Sequence, residues 1–334
     1  MKMFNWGIIG CGLIAPKFFH ALENTGEGRV IAAASKSLHR AKRLQKKLGI
    51  PQVYGSYVAM LDREQLDAVY IANTHAEHAA SAKLCLEQGL PVLVEKAFTR
   101  NAKEAEEVIA LARSRKLFCM EAMWTRFNPS TAKVRELLVE GAIGEVKHLT
   151  ADFCVRMRPS MKTMPWNRMY SPHLAGGALL DIGVYPIAYA RMIFGRPPVK
   201  ITGSAEMTWT GVDKTSEYKF EYSGGGRAEL SASFREERPR DAVITGTTGT
   251  IRVPHFSHTD RVILIRDGKE EQFDCAPNGF EYEICETHRC LRDGLTESPV
   301  MPLGETLETM RTMDALRAQW GMKCFGPRPV CGGS

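Results

Sequence analysis

Five short apolar runs punctuate the first 123 residues: "NWGIIG" (5–10), "VIAAAS" (30–35), "AVYIA" (68–72), "PVLVE" (91–95) and "LFCMEA" (117–122). Each has the length of a strand buried on both faces, and the stretches between them carry helical signals. "SLHRAKRLQKKLG" (37–49) opens on Ser37 as a cap and stops at Gly49. "NAKEAEEVIALARSRK" (101–116) opens on Asn101, with acids early and bases late. Strands alternating with helices of this length predict a parallel sheet covered on both sides.

From about residue 147 the pattern changes. "KHLTADFCVRM", "VKITGSAEMTWT", "SEYKFEYSGGGRAELSASFRE", "DAVITGTTGTIRVP" and "DRVILIRDGKEEQFD" alternate polar and apolar positions and are divided by glycine-rich turns. They predict a large, mostly antiparallel sheet with one face covered and one open. Two helical stretches follow, "EYEICETHRCLRDG" and "ETLETMRTMDALRAQWG", and the tail 329–334 is expected to be loose.

Composition narrows the class. A chain of 334 residues suits two domains, and 44% hydrophobic with 25% charged residues suits a buried core. The net charge of +6 is modest, and Lys and Arg are scattered among acids, so no nucleic-acid partner is expected and at most an anionic ligand. Nine cysteines without a Cys-x-x-Cys or a His-rich companion predict neither a disulfide nor a structural metal. With no signal peptide and no apolar stretch of membrane length, a cytoplasmic protein without membrane association is expected.

The first run leads into "GIIGCGLIAPKFF", where Gly10, Gly12 and Ala15 match G-x-G-x-x-G/A ahead of a helix. Gly10 permits a tight turn, Gly12 admits a pyrophosphate, and the helix N-terminus supplies partial positive charge to it. Cys11, Leu13 and Ile14 complete this cofactor loop. The second run ends in "AASKSLHR". An NAD-selective site places an acid there for the ribose 2′-hydroxyl, but Ser35, Lys36 and Arg40 suit a 2′-phosphate, so NADP is expected, with NAD possible.

After the third run, Ala72, Asn73 and Thr74 lie at a strand's C-terminal end as cofactor contacts. His75 and His78 follow in a first helical turn, for cofactor contact or helix-end packing; without nearby acid or cysteine ligands the pair makes a poor metal site. Glu95 and Lys96 close the run "PVLVE" at the edge where open parallel sheets bind ligands. A lysine enclosed there, its pKa near 10.4 in water lowered by neighbouring positive charge, exchanges protons near neutral pH, with Glu95 holding its ammonium. Asp181 and Tyr185, four apart in "ALLDIGVYPIAYARMIF", would share a face on a helix, conditional on where that helix begins, because Pro186 either kinks a helix interior or marks a first turn.

The runs "GIIGCGLIA", "VEKAF", "MEAMWTRFNPS" and "LAGGALLDIGVYPIA", in that order, resemble the Gfo/Idh/MocA family of NAD(P)-dependent oxidoreductases. Within it the chain is most similar to the branch of dimeric dihydrodiol dehydrogenase, D-xylose dehydrogenase and glucose-fructose oxidoreductase, from Phe4 to about Leu316. The resemblance implies that Lys96 is catalytic and that Tyr185, standing where most members carry histidine, is an acid or base beside Asp181. It also implies that Trp166 and Arg168 approach the cofactor and that Trp124, Arg126 and Phe127 line a substrate cleft. Ala97 stands where the family carries proline.

The expected fold class is α/β: an N-terminal Rossmann dinucleotide-binding domain over 1–123 and a C-terminal α+β domain over 124–334, whose open sheet face builds a homodimer or larger homo-oligomer. The expected activity is NADP-dependent hydride transfer at a secondary alcohol or hemiacetal carbon of a sugar, polyol or trans-dihydrodiol. The alternatives are a non-catalytic NADP-binding sugar sensor and a glycoside-processing enzyme with tightly held NAD.

Overall fold

Every early apolar run forms a strand. In the computed structural model, which describes residues 3–157 and 167–322, β1 (Phe4–Ile9), β2 (Gly28–Ala34), β3 (Gln52–Tyr54), β4 (Ala68–Ile71), β5 (Val92–Glu95) and β6 (Cys119–Ala122) form a parallel sheet. Its order is β3-β2-β1-β4-β5-β6, with the strand order reversing between β1 and β4. α1 (Ala15–Thr25), α2 (Leu38–Leu48), α3 (Tyr57–Arg63), α4 (His75–Glu87) and α5 (Ala102–Arg115) connect the strands.

The caps lie where the sequence places them. Ser37 accepts the Arg40 N–H, Asn101 accepts the Glu104 N–H at 2.9 Å, and Gly49 ends α2 in the left-handed conformation. Strand β3 has no counterpart among the apolar runs because it is three residues long, lies at the sheet edge and is only half-buried.

The chain divides into two compact units, 1–132 with 276–307 and 133–275 with 308–334. This differs from the contiguous break expected at 123/124: the segment containing α8 (Glu281–Arg292) returns to the first unit. It is held there by His288, whose ring stacks on Phe4 at 4.4 Å and whose Nε2 accepts the Trp6 indole N–H at 3.0 Å. Among the described residues the remaining α-helices are α6 (Pro129–Val139), α7 (Val184–Phe194) and α9 (Leu303–Gln319).

The second unit carries β7 (Val146–Cys154), β8 (Lys200–Met207), β9 (Asp213–Glu221), β10 (Arg227–Ser233), β11 (Ala242–Gly246), β12 (Thr250–Val253), β13 (Arg261–Arg266) and β14 (Lys269–Asp274). They form one sheet in the order β14-β13-β12-β11-β7-β10-β9-β8, antiparallel except where β7 meets β10. Inward Tyr218, Phe220, Ala228 and Leu230 are buried, whereas Glu217, Lys219, Arg227 and Glu229 between them are exposed.

One expectation about this unit is corrected. The segment Pro172–Phe194 does have the length of a membrane-crossing helix, 23 residues, and an 18-residue window within it has a mean hydropathy of 1.2. Its most apolar stretch is 89% buried inside the protein, so it is apolar all round because it is a core helix.

Candidate functional site

The loops after β1 and β4 meet where the sheet order reverses, the position at which open α/β sheets bind ligands. Gly10 has φ +105°, and a Cβ there would stand 2.4 Å from the Asn73 nitrogen and 2.5 Å from the Ala72 carbonyl carbon. Only glycine allows this approach. In front of Gly12 the nearest atom to such a Cβ is 3.8 Å away, and Leu13 is 96% exposed. Ile14 begins α1 without a side-chain cap, which leaves the first N–H groups without a side-chain acceptor. An exposed loop, a helix start uncapped by any side chain and a glycine too crowded for a Cβ fit a dinucleotide pyrophosphate. Cys11 stays a thiol, its pKa pushed up to about 11 by burial, with Sγ 3.7 Å from the Ala34 carbonyl.

Beyond β2, Ser35 is buried and accepts the Ser37 N–H at 3.2 Å, while Lys36 and Arg40 are exposed. An acid does reach this corner, though from a distant part of the chain: Glu77 of α4 pairs with Lys36 and raises its pKa. Glu77 also lies 3.5 Å from Asn73 Nδ2, which donates to Ser81 at 2.8 Å. Thr74 caps α4 through its backbone position, without a side-chain bond.

Lys96, half-buried, follows β5 directly, and its peptide bond to Ala97 is cis. The residues around it are held from three elements, two of them through backbone groups. Tyr70 of β4 donates its hydroxyl to Glu95, His78 Nδ1 of α4 donates to the Ala97 carbonyl at 2.9 Å, and Glu121 of β6 accepts the Phe98 N–H at 3.1 Å. His78 is 1% exposed and its pKa is lowered to about 3, by burial first and then by His75. The geometry therefore favours helix-end packing for His78: a neutral ring holding the residue after Lys96. His75 is buried beside it, the two rings edge to face at 5.5 Å.

Arg126 lies in the short helical turn Trp124–Arg126. It is 9% exposed, and its Nε donates to the Val300 carbonyl at 2.8 Å and its Nη2 to Glu305 at 2.9 Å. Its guanidinium is engaged within the first unit. Trp124 stacks on Phe280 at 5.3 Å, and Phe127 is buried.

In the second unit, Leu179–Gly183 forms a π turn that runs without a break into α7, so Pro186 lies within a continuous helical stretch to whose hydrogen-bond ladder it supplies no N–H. Asp181 and Tyr185 thus stand roughly one full turn apart on one face. Arg168 Nη1 donates to Asp181 at 2.9 Å, and the Tyr185 ring stacks on Phe153 at 5.0 Å. Trp166 lies outside the described residues.

This arrangement agrees with what the chain is similar to. Residues 4–123 match the model of an oxidoreductase family with an NAD-binding Rossmann fold, and 131–252 match a GFO/IDH/MocA C-terminal domain. The chain belongs to the Gfo/Idh/MocA oxidoreductase family. A trans-1,2-dihydrobenzene-1,2-diol dehydrogenase of Mus musculus is 35% identical over 90% of this chain and 92% of its own length. One of Xenopus laevis is 34% identical over 95% and 98%. Among solved structures, a 3-ketoreductase from Actinomadura kijaniata in complex with NADP and TDP-benzene is 28% identical, with a TM-score of 0.84 covering 95% of this chain and 98% of its own.

In this Gfo/Idh/MocA chain the structure adds residues that sequence reasoning passed over. Glu121 lay inside an apolar run and is 0% exposed; burial raises its pKa to about 7, Glu95 acts in the same direction, and the Thr306 hydroxyl, the Phe98 N–H and Lys96 oppose. Glu283 of α8 is equally buried near Glu95 and titrates well above the usual carboxylate range because of burial. Asp213, at the start of β9, is buried and accepts the Leu179 N–H at 2.7 Å, holding the π turn that bears Asp181. An acid inside an apolar run was the available signal for Glu121; Asp213 had none.

Proposed function

We propose that the protein is an NADP-dependent oxidoreductase acting on a secondary alcohol or hemiacetal carbon of a sugar, polyol or trans-dihydrodiol. The observation that supports this most is the delivery of the glycine loop, Asn73–Thr74 and Lys96 to one sheet edge by three adjacent strands, β1, β4 and β5. The relatives' diol dehydrogenase activity and the NADP complex of the ketoreductase point the same way.

When bound, the nicotinamide supplies the hydride chemistry. The chain's own part is proton handling and orientation. Gly10–Ile14 and the start of α1 hold the pyrophosphate, and Ser35, Lys36 and Arg40 meet the 2′-phosphate, Lys36 turning from Glu77 to do so. The grip of Tyr70, His78 and Glu121 on Glu95–Phe98 fixes where the Lys96 Nζ points. Lys96 or the Tyr185 hydroxyl takes the substrate hydroxyl proton during oxidation and returns it during reduction, and Asp181, oriented by Arg168, holds the substrate. The open face of the second unit's sheet is the surface through which two copies pair.

A panel of aldoses, polyols and trans-dihydrodiols with NADP+, and of aldehydes and ketones with NADPH, followed at the nicotinamide absorbance band, tests this reading. With the best substrate, Lys96→Met is expected to lose ~10²- to 10⁴-fold in kcat while still binding NADPH. Turnover near that of the wild type in both Lys96→Met and Tyr185→Phe would refute the acid-base assignment.

A further inference from the structure

We propose that Asp213, Ser216 and Tyr218 of β9 are positioning residues for Asp181: they form the polar bed on which the π turn Leu179–Gly183 rests, and they fix the direction of the Asp181 carboxylate. The inference rests on the reading of Asp181 as the group that holds the substrate, and deepens it.

The bed begins with a break in alternation. Asp213 precedes Ser216 by three positions, so a regular strand would point the two side chains to opposite faces. The pairing of β8 with β9 shifts register at this end: Glu206 is opposite Thr215, yet Met207 is opposite Asp213. Such a bulge re-aims a side chain, and Ser216 Oγ donates to Asp213 Oδ2 at 3.2 Å. The hydroxyl oxygens of Ser216 and Tyr218 lie 2.7 Å apart. Ser216 has one hydroxyl proton and gives it to Asp213, so Tyr218 is the donor in the second bond. The three residues are at most 1% exposed, and β9 is bonded on both edges, by β8 and β10.

The π turn is held on this bed at both ends. At its start, Asp213 Oδ2 accepts the Leu179 N–H at 2.7 Å. Ala178, in the N-cap position, offers no side-chain acceptor, so the first turn is capped from a strand 34 positions further on. A carboxylate at a helix start also suits the helix dipole. Just before the turn, a Cβ on Gly177 would collide with Asp213 Oδ1; at its end, a Cβ on Gly183 would stand 2.5 Å from the Tyr218 hydroxyl oxygen. Asp181 lies midway between the two supports. A π turn bonds i to i+5, one residue more than an α turn, and is rare. Were it to relax into α geometry, Asp181 would rotate by about 100° relative to α7, one residue's share of a turn. It would then leave the Arg168 guanidinium that meets it at 2.9 Å.

The test is a double-mutant cycle on kcat/KM, with NADP+ and the best diol or sugar of the panel above. Asp213→Ala is expected to lose roughly 10²-fold, the cost of displacing a positioned group by about 1 Å, while NADPH still binds. Asp213→Asn, which keeps an acceptor for Leu179, should recover most of that loss. In an Asp181→Asn background the same Asp213→Ala change should cost almost nothing, because the residue it positions is already disabled. A merely structural role would lower activity by the same factor in both backgrounds; that result, or wild-type kcat/KM in Asp213→Ala, overturns the inference. Wild-type turnover in Asp181→Asn alone removes the reading of Asp181 instead, and the inference with it. A crystal structure of Asp213→Ala needs no substrate: Asp181 is expected out of reach of Arg168, and an unmoved Asp181 overturns the inference. Should Asp213→Ala not fold, Tyr218→Phe, which removes only the hydroxyl facing Gly183, takes its place in the same cycle and the same crystal.

Discussion

Replacing Gly10 and Gly12 by alanine, one at a time, separates the architecture of the glycine loop from its ligand contact. At Gly10 an alanine would have to adopt φ +105°, which costs about 1–3 kcal/mol for a non-glycine residue. Its methyl would also stand 2.4 Å from the Asn73 nitrogen. Carbon atoms pack favourably at about 3.5–4.0 Å, so the loops after β1 and β4 must part by about 1 Å. Together these terms lower stability by about 2–5 kcal/mol, a fall in Tm of about 5–15 °C for a unit of this size. Displacement by about 1 Å also weakens cofactor positioning by roughly 10²-fold. Gly12→Ala meets nothing closer than 3.8 Å, so the ligand-free Tm should stay unchanged while the Kd for NADPH rises, because the methyl enters the space left for the pyrophosphate. Thermal unfolding and NADPH fluorescence titration measure both quantities. A Gly10→Ala protein with the wild-type Tm, or a Gly12→Ala protein with the wild-type Kd, would refute the reasoning for that position.

At the ribose corner, Glu77→Gln should tighten NADPH binding relative to NADH by freeing Lys36, and Lys36→Ala should do the reverse; equal preference in both variants and the wild type would remove Lys36 from specificity. For pH, burial lowers the His288 pKa to about 4 in the folded state, against 6.5 as its ordinary value. The unfolded chain therefore binds the extra proton between those values, so the stability contribution is complete above pH 6.5 and declines as pH falls toward 4, by up to about 3 kcal/mol. Urea unfolding at pH 4.5 and 7 should show this slope in the wild type and a smaller one in His288→Gln. Asp213→Ala leaves the buried Leu179 N–H without its acceptor and should cost about 1–3 kcal/mol, whereas Asp213→Asn, which can still accept, should cost less; calorimetric Tm values separate the two.

The alternation of strands and helices, the caps at Ser37 and Asn101, the stop at Gly49 and the glycine turn at Gly10 were all legible along the chain. Each depends on spacing or backbone freedom within a few residues. The second sheet was legible from its two-residue alternation, and the place of Lys96 from its position at the end of an apolar run. Other features were decided by contacts between residues far apart in sequence. The return of 276–307 to the first unit rests on His288 meeting Phe4 and Trp6, and the engagement of Arg126 rests on Val300 and Glu305. Glu77 neutralises a lysine 41 positions away, and Asp213 holds a turn 34 positions before it. Residue type and periodicity say which side chains can carry charge. Whether that charge lies in water, beside a counter-ion or in the dry interior with Glu121 depends on which surfaces the fold brings together.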